Sequence, residues 1–116
     1  MSIADHLAAT MRPIPTEHIA FLCHQATEKY LKGTLAALGE EPPFIHDLDI
    51  LCSKALEHRD AFTGISSLCT AINFLSVQPR YDRGLSISET DMRTILAHAK
   101  TVRDFLQKEI PELFEE

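Results

Sequence analysis

The chain has no tryptophan and only two tyrosines, four glycines and three cysteines among its 116 residues. Cys23, Cys52 and Cys69 form no C-x-x-C pair and lie far apart among apolar neighbours. An odd, scattered set of this kind argues against a disulfide framework and a zinc ribbon, and suits small buried hydrophobes in a reducing compartment. Gly33, Gly39, Gly64 and Gly84 are too dispersed to cradle a triphosphate through successive backbone amides. No apolar run approaches the roughly 18 residues of a membrane helix, and the first residues lack a basic-then-apolar secretion pattern. A cytoplasmic location with no membrane partner is the expectation. Positive charge is also in short supply: 11 basic residues face 17 acidic ones, a net charge of −6. Wrapping extended nucleic acid takes many phosphate contacts, so that class is disfavoured, while a local basic pocket for one nucleotide stays open.

What is present is ordinary globular material, 45% hydrophobic and 24% charged. Residues 1–116 make one domain, long enough to bury roughly 65% of its unfolded surface without staples. The apolar positions follow a three-four rhythm, and no segment alternates like a strand. Ser2 with Asp5 marks a short first helix that ends before Pro13. Thr16 precedes a long helix from Glu17 to about Leu38, with Gly39 as its stop and Ile19, Leu22, Cys23, Ala26, Tyr30, Leu31, Leu35 and Leu38 as its buried stripe. After a stiff connector with Pro42-Pro43, Asp47 caps a third helix reaching about Arg59. Thr63-Gly64 opens a fourth helix that Pro79 is expected to end, leaving Arg80 to Gly84 as a charged loop. Ser88 with Asp91 caps the last helix, Glu89 to Glu109. The predicted fold is all-α, an antiparallel up-down bundle of four to five helices. The first helix is too short to cover a bundle of this length, which favours a homodimer.

Candidate chemistry is sparse. His24, Glu28 and Lys32 share one face of the long helix, with Gln25 and Lys29 beside them. A di-iron bundle requires E-x-x-H motifs, and the chain has none, so neither a metal nor a cofactor is expected. His46 stands at the mouth of the third helix. Arg80 and Tyr81 form the most unusual local feature, since a guanidinium fork matches phosphate oxygens and a phenol stacks on a base. The competing structural reading ties Arg80 to a carboxylate such as Glu28. Two arginine-to-histidine spacings of five to six residues occur, Arg12 with His18 and Arg93 with His98. Chance alone supplies roughly one such pair in a chain of this composition. The second pair sits about 140° apart on a helix.

Phe21-Leu22-Cys23-His24-Gln25-Ala26-Thr27-Glu28-Lys29-Tyr30-Leu31-Lys32 resembles the H-Q-A-x-E-K-x-L-K helix of HEPN domains. His46-Asp47-Leu48 is similar to the H-D-L that opens their next helix, and Arg80-Tyr81-Asp82 stands where the family has an R-Y-P segment. The resemblance covers about residues 16 to 110. It implies a prokaryotic, usually dimeric bundle, often encoded beside a minimal nucleotidyltransferase in a toxin–antitoxin-like pair. It also implies nucleotide binding in some branches and metal-independent RNA cleavage through R-x(4–6)-H in others. Here Asp82 replaces the proline, the first helix is shorter than the family's, and residues 73–78 carry neither arginine nor histidine. Those departures point away from a nuclease and towards the nucleotidyltransferase-associated branch. The expected ligand is ATP or GTP, met by Arg80, Tyr81, Lys29 and Lys32, with His24, Gln25, Glu28 and His46 orienting them. A ribonuclease using Arg93 with His98 or His46 is the alternative, and a purely structural interaction domain the third reading.

Overall fold

A computed structural model describes the backbone of residues 2–11, 14–81 and 87–114, with side chains for all of these except 2 and 77–81. Its helices are α1 (Ser2–Thr10), α2 (Thr16–Ala37), α3 (Leu48–His58), α4 (Thr63–Tyr81) and α5 (Glu89–Glu109). Single 3-10 turns follow α3 at Asp60–Phe62 and α5 at Pro111–Phe114, and no strand occurs among the described residues. The all-helical bundle expected from the periodicity is the observed one.

Short-range chemistry sets most of the helix ends. Asp47 caps α3 by accepting from the amides of Asp49 (2.9 Å) and Ile50 (3.3 Å). Ser88 caps α5 by accepting from the amide of Asp91 at 3.0 Å. Beyond α2 the chain turns back through Gly39 at φ 89°, a conformation that favours glycine. There the Glu40 amide reaches the Leu35 carbonyl (2.9 Å) and the Gly39 amide reaches that of Ala36 (3.1 Å). These two bonds are a Schellman motif, which satisfies carbonyls the helix end would otherwise strand.

Two boundaries differ from expectation. Thr16 is the first residue of α2 rather than its cap, because Pro15 occupies the cap position and its carbonyl takes the Ile19 amide at 3.0 Å. Helix α4 does not stop at Pro79 but runs on to Tyr81, so Arg80 and Tyr81 belong to its last turn and not to a loop. A proline lacks its own donor and crowds the carbonyl four residues back, but the two residues after it keep their amides and can stay helical.

Contacts between elements fix the directions. His46, just before α3, reaches Glu28 in the middle of α2 at 2.9 Å. At the other end of α3, His58 and Lys54 reach Glu40, just past α2, at 2.8 and 3.6 Å. The connector thus carries the chain back to mid-bundle, and α3 climbs beside the second half of α2 in the same direction, parallel where the up-down reading expects an antiparallel neighbour. Helix α4 descends against α3, since Thr70 meets Asp49 while Asn73 meets Asp47. Helix α5 then rises against α4, placing Phe105 edge-on to Phe62 with ring centroids 5.5 Å apart.

The core is one cluster. It takes Leu48, Leu51, Cys52 and Ala55 from α3, Ile65, Cys69 and Ile72 from α4, and Met92, Ile95, Leu96, Ala99, Val102 and Leu106 from α5. On α2 the buried stripe is turned slightly from the expected one: Ala20, Thr27 and Thr34 are buried, while Leu22, Tyr30 and Leu38 pack at its margin. Thr27 and Thr34 donate their hydroxyls to the carbonyls of Cys23 and Tyr30 at 2.8 Å each. With the hydroxyl satisfied inside its own helix, a threonine presents a methyl to the core much as valine does. The closing turn folds Leu113 and Phe114 onto α2, where Phe114 packs on Tyr30 at 5.4 Å between centroids.

Candidate functional site

Where α2, the start of α3 and α4 converge, the bundle is held by polar side chains instead of apolar ones. Asn73 of α4 is the hub. Its Oδ1 accepts from the Leu48 amide (3.3 Å) and from His24 Nε2 (3.2 Å), and its Nδ2 donates to Asp47 Oδ1 (3.4 Å). Two donors on one side and a carboxylate on the other fix the amide's orientation. They also fix His24 with its proton on Nε2, because an amide oxygen can only accept. Asn73 therefore joins three helices while completing the N-cap of one of them.

One turn along α2 from His24, Glu28 holds a second set of contacts. His46 Nδ1 donates to both carboxylate oxygens at 2.9 Å, and Lys32 Nζ donates to Oε2 at 3.0 Å. The Glu28 side chain is 13% exposed and that of His46 is 84% exposed. Partial burial alone would push the Glu28 carboxyl up, but hydrogen bonds from His46 and Lys32, with their charges, outweigh it. The carboxyl ends below its ordinary range. With Nδ1 committed to Glu28, His46 offers Nε2 to solvent. Phe44, two residues earlier in the connector, is fully exposed.

Of the residues singled out in the sequence, His24, Glu28, Lys32 and His46 are brought together. Gln25 and Lys29 lie exposed on the adjoining strip of α2. The side chains of Arg80 and Tyr81 lie outside the described ones, as does Arg12 of the Arg12–His18 spacing. Backbone register places Arg80 seven residues past Asn73, about 10 Å farther along α4. Because α4 runs against α2, that step leads away from Lys32, which lies about 12 Å from His24 in the other direction. Glu28, the carboxylate considered for Arg80, is engaged by His46 and Lys32. On α5, Arg93 pairs with Glu89 at 3.3 Å and is exposed, while His98 is half-buried.

Asn73 was not singled out from sequence, although it carries the cluster. Its signal was present: a poor helix former in mid-helix, next to the buried position Ile72. Among the described residues no group of three His, Cys, Asp or Glu side chains gathers to hold a metal ion, and no helix is long and apolar enough to cross a membrane.

A family model described as HEPN domain matches residues 12–110, most of the chain. The chain belongs to the HEPN domain family. The match spans α2 to α5 and so includes every residue of the cluster just described. No curated protein and no solved structure matches this HEPN chain.

Proposed function

We propose that this HEPN chain is a binding module that works with a nucleotidyltransferase in a prokaryotic, toxin–antitoxin-like pair, and that it holds a nucleotide where α2, α3 and α4 converge. The observation that carries the reading is the Asn73–His24–Asp47 network with the Glu28–His46–Lys32 set beside it. Six polar side chains are locked at one convergence of a bundle whose other interior contacts are largely apolar, and bonds of this kind hold a surface in one geometry. Lys29 and Lys32 supply positive charge for phosphate, His46 Nε2 adds a donor when protonated, and Arg80 with Tyr81 takes the other end of the ligand. A pocket of a few cations acts locally despite the net charge of −6, because screening limits long-range repulsion to about 8 Å at physiological salt. The working form is a homodimer, whose mass light scattering reads directly.

Titration calorimetry of ATP and GTP into the protein is the deciding experiment, beside Lys29→Ala/Lys32→Ala and Arg80→Ala. Saturable binding that both variants weaken at least tenfold is the expected result. No heat from either nucleotide, with the free protein and with its co-expressed nucleotidyltransferase complex alike, overturns the nucleotide reading.

A further inference from the structure

Three histidines bond to side chains elsewhere in the bundle, and they do not commit the same ring nitrogen. His24 commits Nε2 to Asn73 Oδ1 at 3.2 Å, and His58 commits Nε2 to Glu40 Oε1 at 2.8 Å. His46 does the reverse: its Nδ1 lies 2.9 Å from both oxygens of Glu28, and Nε2 is the nitrogen left over. Exposure separates the two histidine–glutamate pairs as well, since the His46 side chain is 84% exposed and that of His58 32%.

A neutral imidazole carries one proton. A carboxylate that accepts from Nδ1 holds the proton there, so the lone pair sits on Nε2, the nitrogen farther from the backbone. The same carboxylate stabilises the cation that forms once Nε2 attacks, as the acid behind a nucleophilic or basic histidine does. Glu28 is placed for both tasks. Its side chain is 13% exposed, and Lys32 Nζ fixes Oε2 from the other side at 3.0 Å. Partial burial opposes its charge, yet the bonds from His46 and Lys32 prevail and keep it ionised at neutral pH. Lys29, exposed on the same helix, adds positive charge nearby.

We propose that His46 is a phosphoryl acceptor, taking the group onto Nε2 from a donor of the phosphoramidate class, one that carries a P–N bond. The Nε2–P bond forms as the donor's P–N bond breaks. The leaving nitrogen, already protonated in the donor, departs as ammonia or an amine with the bonding pair. The Nδ1 proton stays between the ring and Glu28, and nothing is oxidised or reduced. One P–N bond replaces another, so the exchange is close to balanced in free energy and an exposed ring can accept without a closed site. The product ring is cationic, which strengthens its bond to Glu28, and it sets a dianion at the mouth of α3 beside Lys29 and Lys32. The acceptor requires only the Glu28–His46 pair and stands whether or not the site binds a nucleotide.

The test incubates the folded full chain with potassium phosphoramidate near neutral pH and follows each histidine by mass spectrometry without acid, which cleaves phosphohistidine. His6 and His18, exposed on α1 and α2, are references within the same molecule. His46 should label roughly tenfold faster than either or more, and phosphorus–nitrogen coupling should place the group on Nε2. In Glu28→Ala, checked for fold by circular dichroism, the His46 rate should drop to that of the references. Ring-nitrogen chemical shifts should show the His46 proton on Nδ1 in the wild type and moved to Nε2 in that variant. Equal rates at His46, His6 and His18 in the wild type would overturn the proposal, because exposure alone would then account for labelling. So would a His46 rate unchanged in Glu28→Ala, or a phosphoryl group found on Nδ1.

Discussion

Along its buried stripe, α2 contributes Ile19, Cys23, Leu31 and Leu35, and two threonines that bond only to their own helix. Along the edge that meets α3 and α4 it contributes His24 and Glu28, whose partners come from α4, from the connector and from one turn up the same helix. The first side is held by area removed from water, a force without direction that tolerates small rotations of the helix. The second is held by donors matched to acceptors one for one, so that loss of one member leaves another unsatisfied. The apolar side therefore sets how stable the bundle is. The polar side sets where α3 begins.

Substitutions separate the two contributions. The largest effect belongs to the apolar side: Ile95→Ala empties a fully buried site on α5 and should cost about 3 kcal/mol in chemical denaturation. Next comes Asn73→Ala, which strips the Leu48 amide, His24 and Asp47 of a shared partner. A loss of about 2 kcal/mol is expected, together with faster hydrogen exchange confined to the first turn of α3. Exchange raised evenly over the whole chain would mean that Asn73 supports the bundle generally and that the two sides are not distinct.

Smaller again is Glu28→Gln, at about 1–2 kcal/mol near neutral pH. Its pH dependence carries more information. The folded carboxyl titrates below its ordinary value, so its stabilisation is complete above about pH 4.5 and is lost as the pH falls through the folded value. Wild-type stability should fall more steeply than that of Glu28→Gln below pH 4.5. Some slope survives in the variant, because Glu40 is also lowered, chiefly by its hydrogen bond from His58. Parallel acid profiles would show that Glu28 is not the group that ties the connector down.

The two sides were not equally legible in the sequence. Periodicity finds apolar stripes, and on α2 it returned Ile19, Cys23, Leu31 and Leu35, all buried. Caps were legible too, because Asp47 and Ser88 act on amides two or three residues away. Thr27 and Thr34 escaped a reading that counted threonine as polar, although each hydroxyl is spent on the turn before it. His24, Glu28 and Lys32 could be placed on one face by spacing alone. Their link to His46 and Asn73 could not, since it depends on the connector returning α3 to the middle of α2, a tertiary fact with no local signature.

The smallest expected effect lies back on the apolar side, at Gly33. A methyl there would stand 3.1 Å from Leu113 Cδ2, a close but not prohibitive approach. Helix φ, ψ values suit alanine, and replacing glycine within a helix gains about 0.8–1 kcal/mol by lowering the entropy of the unfolded chain. Against this, Leu113 must move by a few tenths of an ångström. It is the end of a branched side chain, half-buried on a four-residue closing turn, so it has room to yield. Gly33→Ala should therefore be neutral to stabilising, by less than about 1 kcal/mol. A loss larger than that would mean the closing turn is as rigidly seated on α2 as α3 is, and that directional fit is not confined to the polar side.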